Sequence, residues 1–239
     1  LAAANADENN DLCNYFETNL HLVVNYHSNS TKRKEHLYNL QEQLQGAKLR
    51  LVRMVATRWL SRGATTIRIH SMIAALIVEF KEDADDDRAN TTALALYQTT
   101  KSYKFLCSLT LFADVLSTLN QLNASFQKDH VRFAEVKANI AAAKSLFQEA
   151  FKRGPAFVGG NFYKDFVKAR VDAREDHVIS GVDVDSLEVA VDEGTEVVNW
   201  NGVENIVVDD AVEQEVRDGI SQFAEAVVKN LDDCFPTDD

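Results

Sequence analysis

Apolar side chains recur at every third or fourth position over most of this chain of 239 residues, which is the spacing of amphipathic helices. The pattern predicts helices over 8–27, 31–45, 64–81, 126–153, 162–175 and 211–233, and either two helices or one broken helix over 92–124. Ser30 or Thr31 is suited to be the N-cap of the second helix, and Gly46 suits its C-terminal cap. Alternation in LRLVRMV, residues 49–55, predicts a strand.

Residues 176–209 differ from the rest because they are rich in Val, Asp and Glu and lack a helical repeat. They can form either short strands or an extended acidic loop. We favour the loop, because a strand in the core carries fewer charges.

The composition agrees with a mainly helical protein. Two prolines and nine glycines in the whole chain favour long helices over a sandwich or a barrel. With 46% hydrophobic and 26% charged residues the chain is able to bury a core, and it is too hydrophobic for a disordered protein.

The net charge of −12 is an average over two unlike parts of the chain. Residues 1–171 hold 22 Lys and Arg against 17 Asp and Glu, whereas residues 172–239 hold 3 against 20. The overall acidity therefore does not exclude an anionic partner such as a nucleic acid.

Positive charge is concentrated between residues 31 and 70, where nine cations stand against Glu35 and Glu42. The nine are Lys32, Arg33, Lys34, Lys48, Arg50, Arg53, Arg58, Arg62 and Arg68. Such a stretch can neutralise several phosphates, or it can be a solvated face of two helices. Trp59 beside Arg58 favours the first interpretation, because an aromatic ring next to a guanidinium can stack an unpaired base.

Motifs for a self-contained active site are absent from the sequence. Cys13, Cys107 and Cys234 form no CxxC pair, the histidines form no HExxH or HxxxH, and no GxSxG or phosphate-binding glycine loop occurs. The acids of 82–87 lack the spacing of a calcium loop and are typical of a solvated helix end. We therefore expect no small-molecule substrate.

We also expect no membrane association, because no apolar run approaches the roughly 18 residues of a span. The first residues lack the features of a signal peptide.

Several segments resemble the hAT superfamily of DNA transposases and their domesticated relatives, and within it the zinc finger protein 862-like group. They are NYHSNSTKRKEHLYNLQ, ATRWLS, KFLCSLTLFADVLSTLNQLNASFQKDH and ISQFAEAVVKNLDDCFPTDD. The resemblance covers most of 12–170 and 215–237. It implies a mainly α fold, in which a partial RNase H-like core over 1–63, with a short strand near 48–56, carries a helical insertion domain over 64–175. An acidic loop or short strands over 176–210 and a closing helix over 211–239 would follow.

The same resemblance implies a DNA-binding role. Trp59 would stack on a base flipped out at the transposon end, with Arg58 as its phosphate or structural partner. The further candidate DNA-binding residues come from the basic stretch and are Lys32, Arg33, Lys34, Arg50, Arg53 and Arg62.

No catalytic residue and no cofactor are assigned to this chain. The three carboxylates that hold divalent metals in such transposases would lie before residue 1 and after residue 239, so we expect this part not to be an enzyme by itself. We expect a nuclear protein that binds DNA and takes part in assembly, with self-association or a protein partner as a further possibility. The alternative is a helical protein–protein interaction module of a nuclear regulator, whose acidic segment binds a partner or competes with DNA for the basic stretch.

Overall fold

The protein is described by a computed structural model over residues 10–44, 46–51, 59–86, 90–127, 133–180 and 196–235. It is mainly helical, as the sequence predicts. The helices are α1 (Asp11–Ser28), α2 (Thr31–Gln43), α3 (Trp59–Ser71), α4 (Ile73–Asp85), α5 (Thr91–Lys101), α6 (Tyr103–Phe126), α7 (Phe133–Ala150), α8 (Asn161–Ser180) and α9 (Asp210–Cys234). The strands are β1 (Val197–Trp200) and β2 (Val203–Val207).

Side-chain caps define where several helices begin. Ser30 accepts a hydrogen bond from the backbone N–H of Arg33, so Ser30, one of the two predicted candidates, is the N-cap of α2, and Thr31 is its first residue. Gly46 N–H donates to the carbonyl of Gln41 at 2.8 Å, just beyond the end of that helix. Four other helices have an Asn, Ser or Asp cap of the same kind, at Asn10, Asn90, Ser102 and Asp209.

Helix α6 is the centre of the core. It is 24 residues long, and its most apolar window of 18 residues has a mean hydropathy of 1.3, enough by length and composition to cross a membrane. However, 78% of that window is buried by the rest of the protein, with contacts to α3, α7, α8 and α9. The expectation that no apolar run approaches this length is therefore wrong for α6, which serves here as a core helix. Phe112 shows the packing, since its ring stacks on that of Phe16 with centroids 4.3 Å apart.

The helix predicted over 64–81 is wrong as a single element. The chain forms α3 and α4, which meet at Met72 with a bend of 75°. The apolar repeat continues through the bend because Ile69 and Ile73 on either side are both fully buried. The bend lets α3 pack on α6 while α4 packs on α2 and α5. Residues 92–124, predicted as either two helices or one broken helix, lie in two separate helices, α5 and α6.

The preference for a loop after residue 176 is wrong for two stretches. Helix α8 continues to Ser180, and residues 197–207 form an antiparallel hairpin. Val198, Trp200, Val203 and Ile206 face inward and are buried against the helices. The acids of this region do not prevent pairing, because Glu204 is exposed and Glu196 forms an ion pair with Arg170. Residues 181–195 lie outside the described residues.

The predicted strand near 48–56 is not formed by residues 48–51, and residues 52–58 lie outside the described residues. The Leu49 backbone pairs with a side chain instead. Its N–H donates to Gln41 Oε1 at 2.8 Å, and its carbonyl accepts from Gln41 Nε2 at 3.2 Å. One buried glutamine thus satisfies the groups that a neighbouring strand would otherwise bind.

Candidate nucleic-acid interface

The connection between α1 and α2 uses two of the predicted DNA-binding cations to bind backbone carbonyls. Arg33 Nη1 donates to the carbonyl of Tyr26 at 3.0 Å, and Lys34 Nζ donates to that of Ser28 at 2.8 Å. Both carbonyls belong to the last turn of α1, where cations are favoured by the free carbonyls and the helix dipole.

The two cations differ in how far their charge is neutralised. The Arg33 guanidinium stacks on the Tyr26 ring, 3.8 Å from the centroid, and its Nε lies 3.6 Å from Asp83 Oδ2. Lys34 is exposed and, among the described residues, it binds the Ser28 carbonyl and no carboxylate, so its charge is available to an anion.

Residues 46–51 place a second cation beside α2. Arg50 is exposed, and its Nε donates to the Tyr38 hydroxyl at 2.7 Å. Arg68 of α3 donates through Nη1 to the carbonyl of Arg50 at 2.8 Å. Among the described residues, no carboxylate pairs with Lys34, Arg50 or Arg68, and we call these three residues together with Tyr38 the basic cluster.

A groove of about 780 Å³ lies between α1, α2 and residues 46–51. Its apolar lining consists of Val24, Leu37, Leu49 and Leu51. Three members of the basic cluster, Lys34, Arg50 and Tyr38, also line it. Glu35 is the one carboxylate in this lining. The groove therefore combines an apolar interior with a net positive rim.

A buried polar cluster under the groove holds α1 and α2 on α4. His27 Nδ1 donates to the Val23 carbonyl at 3.0 Å, and His27 Nε2 lies 2.6 Å from Glu79 Oε2. Both side chains are almost completely buried, at 2% and 0% exposure. Nearby, His36 pairs with Glu82 at 3.0 Å. A buried pair such as His27–Glu79 is costly to break from one side, so it helps to hold α1 on α4 beside the groove.

Tyr26 extends this cluster toward α5. Its hydroxyl donates to Asp83 at 2.5 Å and accepts from the Asn90 amide at 2.9 Å. Burial, and then the hydrogen bond to Asp83, raise the pKa of Tyr26 far above its usual value, so the phenol remains a donor. Asp83 thus has structural partners, which the expectation of a merely solvated helix end did not include.

The other predicted DNA-binding residues have different surroundings. Lys32 is exposed on the first turn of α2. Arg62 is 11% exposed and forms an ion pair with Glu17, which links α3 to α1. Arg53 and Arg58 lie outside the described residues. Trp59 begins α3, and its side chain lies outside the description.

Sequence reasoning missed two members of the basic cluster as site residues. In the sequence Arg68 is one of the nine cations of residues 31–70, and Tyr38 is not part of that charge pattern. A signal for Tyr38 was present, since it follows Lys34 by four residues and such residues share one face of a helix. No such signal exists for Arg68, which reaches Arg50 through the tertiary fold.

The part of the chain that the structure describes shows no metal-binding cluster, and of its free cysteines Cys234 is exposed. No group of three or more His, Cys, Asp or Glu side chains is arranged there to hold a metal ion. Cys13 and Cys107 are buried and unbridged, and burial raises the pKa of the Cys107 thiol well above its ordinary value.

No family model, curated protein or solved structure matches this chain. The resemblance to hAT transposases therefore remains a hypothesis, and function is inferred from the residues themselves.

Proposed function

We propose that this chain binds DNA through the basic cluster, as part of a nuclear protein derived from a hAT transposase. The observation that carries the proposal is that Lys34 and Arg50 line one groove, that Arg68 binds the Arg50 carbonyl, and that none of the three has a carboxylate partner among the described residues. A charged surface of this kind attracts a polyanion.

Neutralising phosphates releases counterions from DNA, so affinity that depends on such a face falls as salt rises. This contribution does not depend on sequence. The acids that would oppose it are concentrated after residue 172. The split in charge along the chain thus supports a body that binds DNA despite a net charge of −12.

The proposed role is binding and assembly without catalysis in this chain. The resemblance assigns none of the three metal-binding carboxylates to these residues. In the same scheme Trp59 and Arg58 contact an unpaired base, and residues 64–175 belong to the helical insertion.

The test measures DNA affinity of the whole chain by fluorescence anisotropy over a series of salt concentrations. The triple variant Lys34→Gln, Arg50→Gln, Arg68→Gln removes the charges of the basic cluster. If each cation neutralises one phosphate of a duplex, the slope of log affinity against log salt becomes less steep by about 2.7.

The matched control is the triple variant Lys152→Gln, Lys164→Gln, Lys229→Gln. It removes three exposed charges, which lie just after α7, in α8 and in α9, respectively. It keeps the same net charge as the first variant and should leave the slope close to that of the original chain. An equal loss in both variants would show that DNA responds only to total charge. A chain that binds no DNA even at low salt would favour a helical protein–protein interaction module instead.

A further inference from the structure

We infer that the groove beside the basic cluster binds one nucleotide unit, with its base in the apolar interior and its phosphate at Lys34 and Arg50. The inference rests on the proposed function, because the same two cations serve both. It adds a site for a base, which contact with the phosphate backbone does not require.

The groove is large enough for a nucleotide. Its volume of about 780 Å³ lies within the range of roughly 300 to 1,000 Å³ that is usual for pockets that bind small molecules. Phosphate contacts alone require only a charged face, since the backbone of a duplex lies along the surface of the protein.

The interior suits a planar ring. Of its apolar lining, Val24 and Leu37 are buried, and Leu49 and Leu51 are half-buried. Tyr38 supplies the aromatic surface, and the bond from Arg50 Nε to its hydroxyl orients the ring. Stacking of a base on such a ring is tolerant of base identity because every base has a π-face.

The rim suits a phosphate with low total charge. Lys34 donates one hydrogen bond to Ser28, and Arg50 uses its Nε for Tyr38, so both retain N–H donors for an anion. Glu35 in the same lining repels additional negative charge. This combination favours a monophosphate or a diester over a triphosphate.

Polar groups for the edge of a base lie at the end of α1. The side chains of Asn25 and Asn29 are exposed and line the groove, and an amide offers both a donor and an acceptor. Ser28 and Thr31 add hydroxyl groups between the amides and Lys34.

A nucleotide unit can come from solution or from an unpaired position in a strand, and two experiments separate these sources. In the first, the whole chain is titrated calorimetrically with dAMP, deoxyadenosine and inorganic phosphate. If free nucleotides are ligands, dAMP binds more tightly than either part alone. Binding then falls about tenfold in Tyr38→Leu, which loses the stacking surface, and is retained in Tyr38→Phe.

In the second experiment, a single-stranded oligonucleotide is compared with a strand of the same length in which every position is abasic. If the groove takes a base from a strand, a fully abasic strand binds more weakly than the intact one, and Tyr38→Leu removes this difference while Tyr38→Phe preserves it. Asn25→Asp is the second variant, since it places a negative charge at an exposed position of the groove and should weaken both ligands without altering the core.

The outcomes separate this inference from the proposed function. A response to Tyr38→Leu and Asn25→Asp in either experiment supports the groove, and the experiment that shows it identifies the source. If DNA binding depends on the basic cluster but is unchanged in both groove variants, and dAMP does not bind, the groove inference is overturned while the proposed function stands. If dAMP binds in the groove but DNA binding is absent, the proposed function fails alone.

Discussion

At the residue scale, several buried polar side chains gain their roles only from distant partners. Asp114 of α6 accepts hydrogen bonds from the backbone N–H groups of Phe162 and Tyr163, both at 3.0 Å. It thereby caps α8 from another helix. Burial raises the pKa of Asp114, and the backbone N–H groups oppose that shift.

His70 is a second such residue. Its ring lies edge-on to the rings of Phe162 and Trp200, with centroids 4.7 Å and 5.2 Å away. Burial lowers its pKa to about 4, with a smaller opposing effect from Asp165. The imidazole is therefore neutral in the folded protein at physiological pH.

This shift predicts loss of stability in acid. The pKa of His70 is about 6.5 in an unfolded chain and about 4 in the folded protein. Between these two pH values the unfolded state binds a proton at His70 and the folded state does not, so acid favours unfolding. Stability due to His70 is present above about pH 6.5 and falls as the pH decreases toward 4. Chemical denaturation near pH 7 and near pH 5 should show a smaller acid loss in His70→Leu, by on the order of 1 kcal/mol. Equal losses in the two proteins would contradict the burial of this ring.

At the element scale, the hairpin combines a local signal with a tertiary contact. Asn201 and Gly202 form its two-residue turn with φ values of 50° and 76°, as a type I′ turn requires. The Asn201 amide also donates to the His70 carbonyl at 2.8 Å, which ties the turn to the end of α3. The turn is therefore packed against the helices and is not a free loop.

Two glycines allow the contribution of this packing to be measured. Gly202 and Gly154 have nearly equal φ values of 76° and 75°, so Ala at either position meets a similar backbone cost of about 1 kcal/mol. A Cβ at Gly202 would also lie 3.0 Å from the Ala74 Cβ on α4, whereas one at Gly154 would have no neighbour within 4 Å. Gly202→Ala should thus lower the free energy of unfolding more than Gly154→Ala in urea denaturation. Equal losses would show that the hairpin turn is not packed against α4.

At the scale of the whole molecule, one ionic network joins four parts of the fold. Glu213 of α9 is 8% exposed and accepts hydrogen bonds from the hydroxyls of Tyr103 and Tyr163, both at 2.5 Å. Arg170 of α8 donates to Glu213 at 3.1 Å and forms two bonds to Glu196 just before β1. Burial first, and then the bonds to Glu213, raise the pKa of both tyrosines far above the usual value. Both hydroxyls therefore remain donors.

Glu213→Gln tests how far the fold depends on this network. The substitution removes the negative charge that pairs with Arg170 and leaves an amide facing several donors, so the free energy of unfolding should fall by about 2 kcal/mol or more. Glu215→Gln is the matched control, because Glu215 is 62% exposed and pairs with Lys104 at the surface. That pair should contribute less than about 1 kcal/mol. Similar small losses in both variants would mean that Glu213 does not organise the interior.

Much of the fold could be predicted from the sequence because it depends on residues that are close along the chain. The helical class, the Ser30 cap and the last helix follow from local periodicity and capping chemistry. The hairpin also carried a local signal, since Asn-Gly lies between residues rich in Val. The neighbouring acids nevertheless favour a loop in the sequence alone, because their partner Arg170 is distant along the chain.

Of the candidate site, the sequence by itself determined the charge split and the density of cations between residues 31 and 70. Only the tertiary structure decided which cations are available. It pairs Arg62 with Glu17 and places Arg33 beside Asp83, while Lys34 and Arg50 line one groove with Tyr38 and Arg68 binds the Arg50 carbonyl. The physical reason is that charge is a property of a residue, whereas its neutralisation depends on partners that folding brings together from distant parts of the chain.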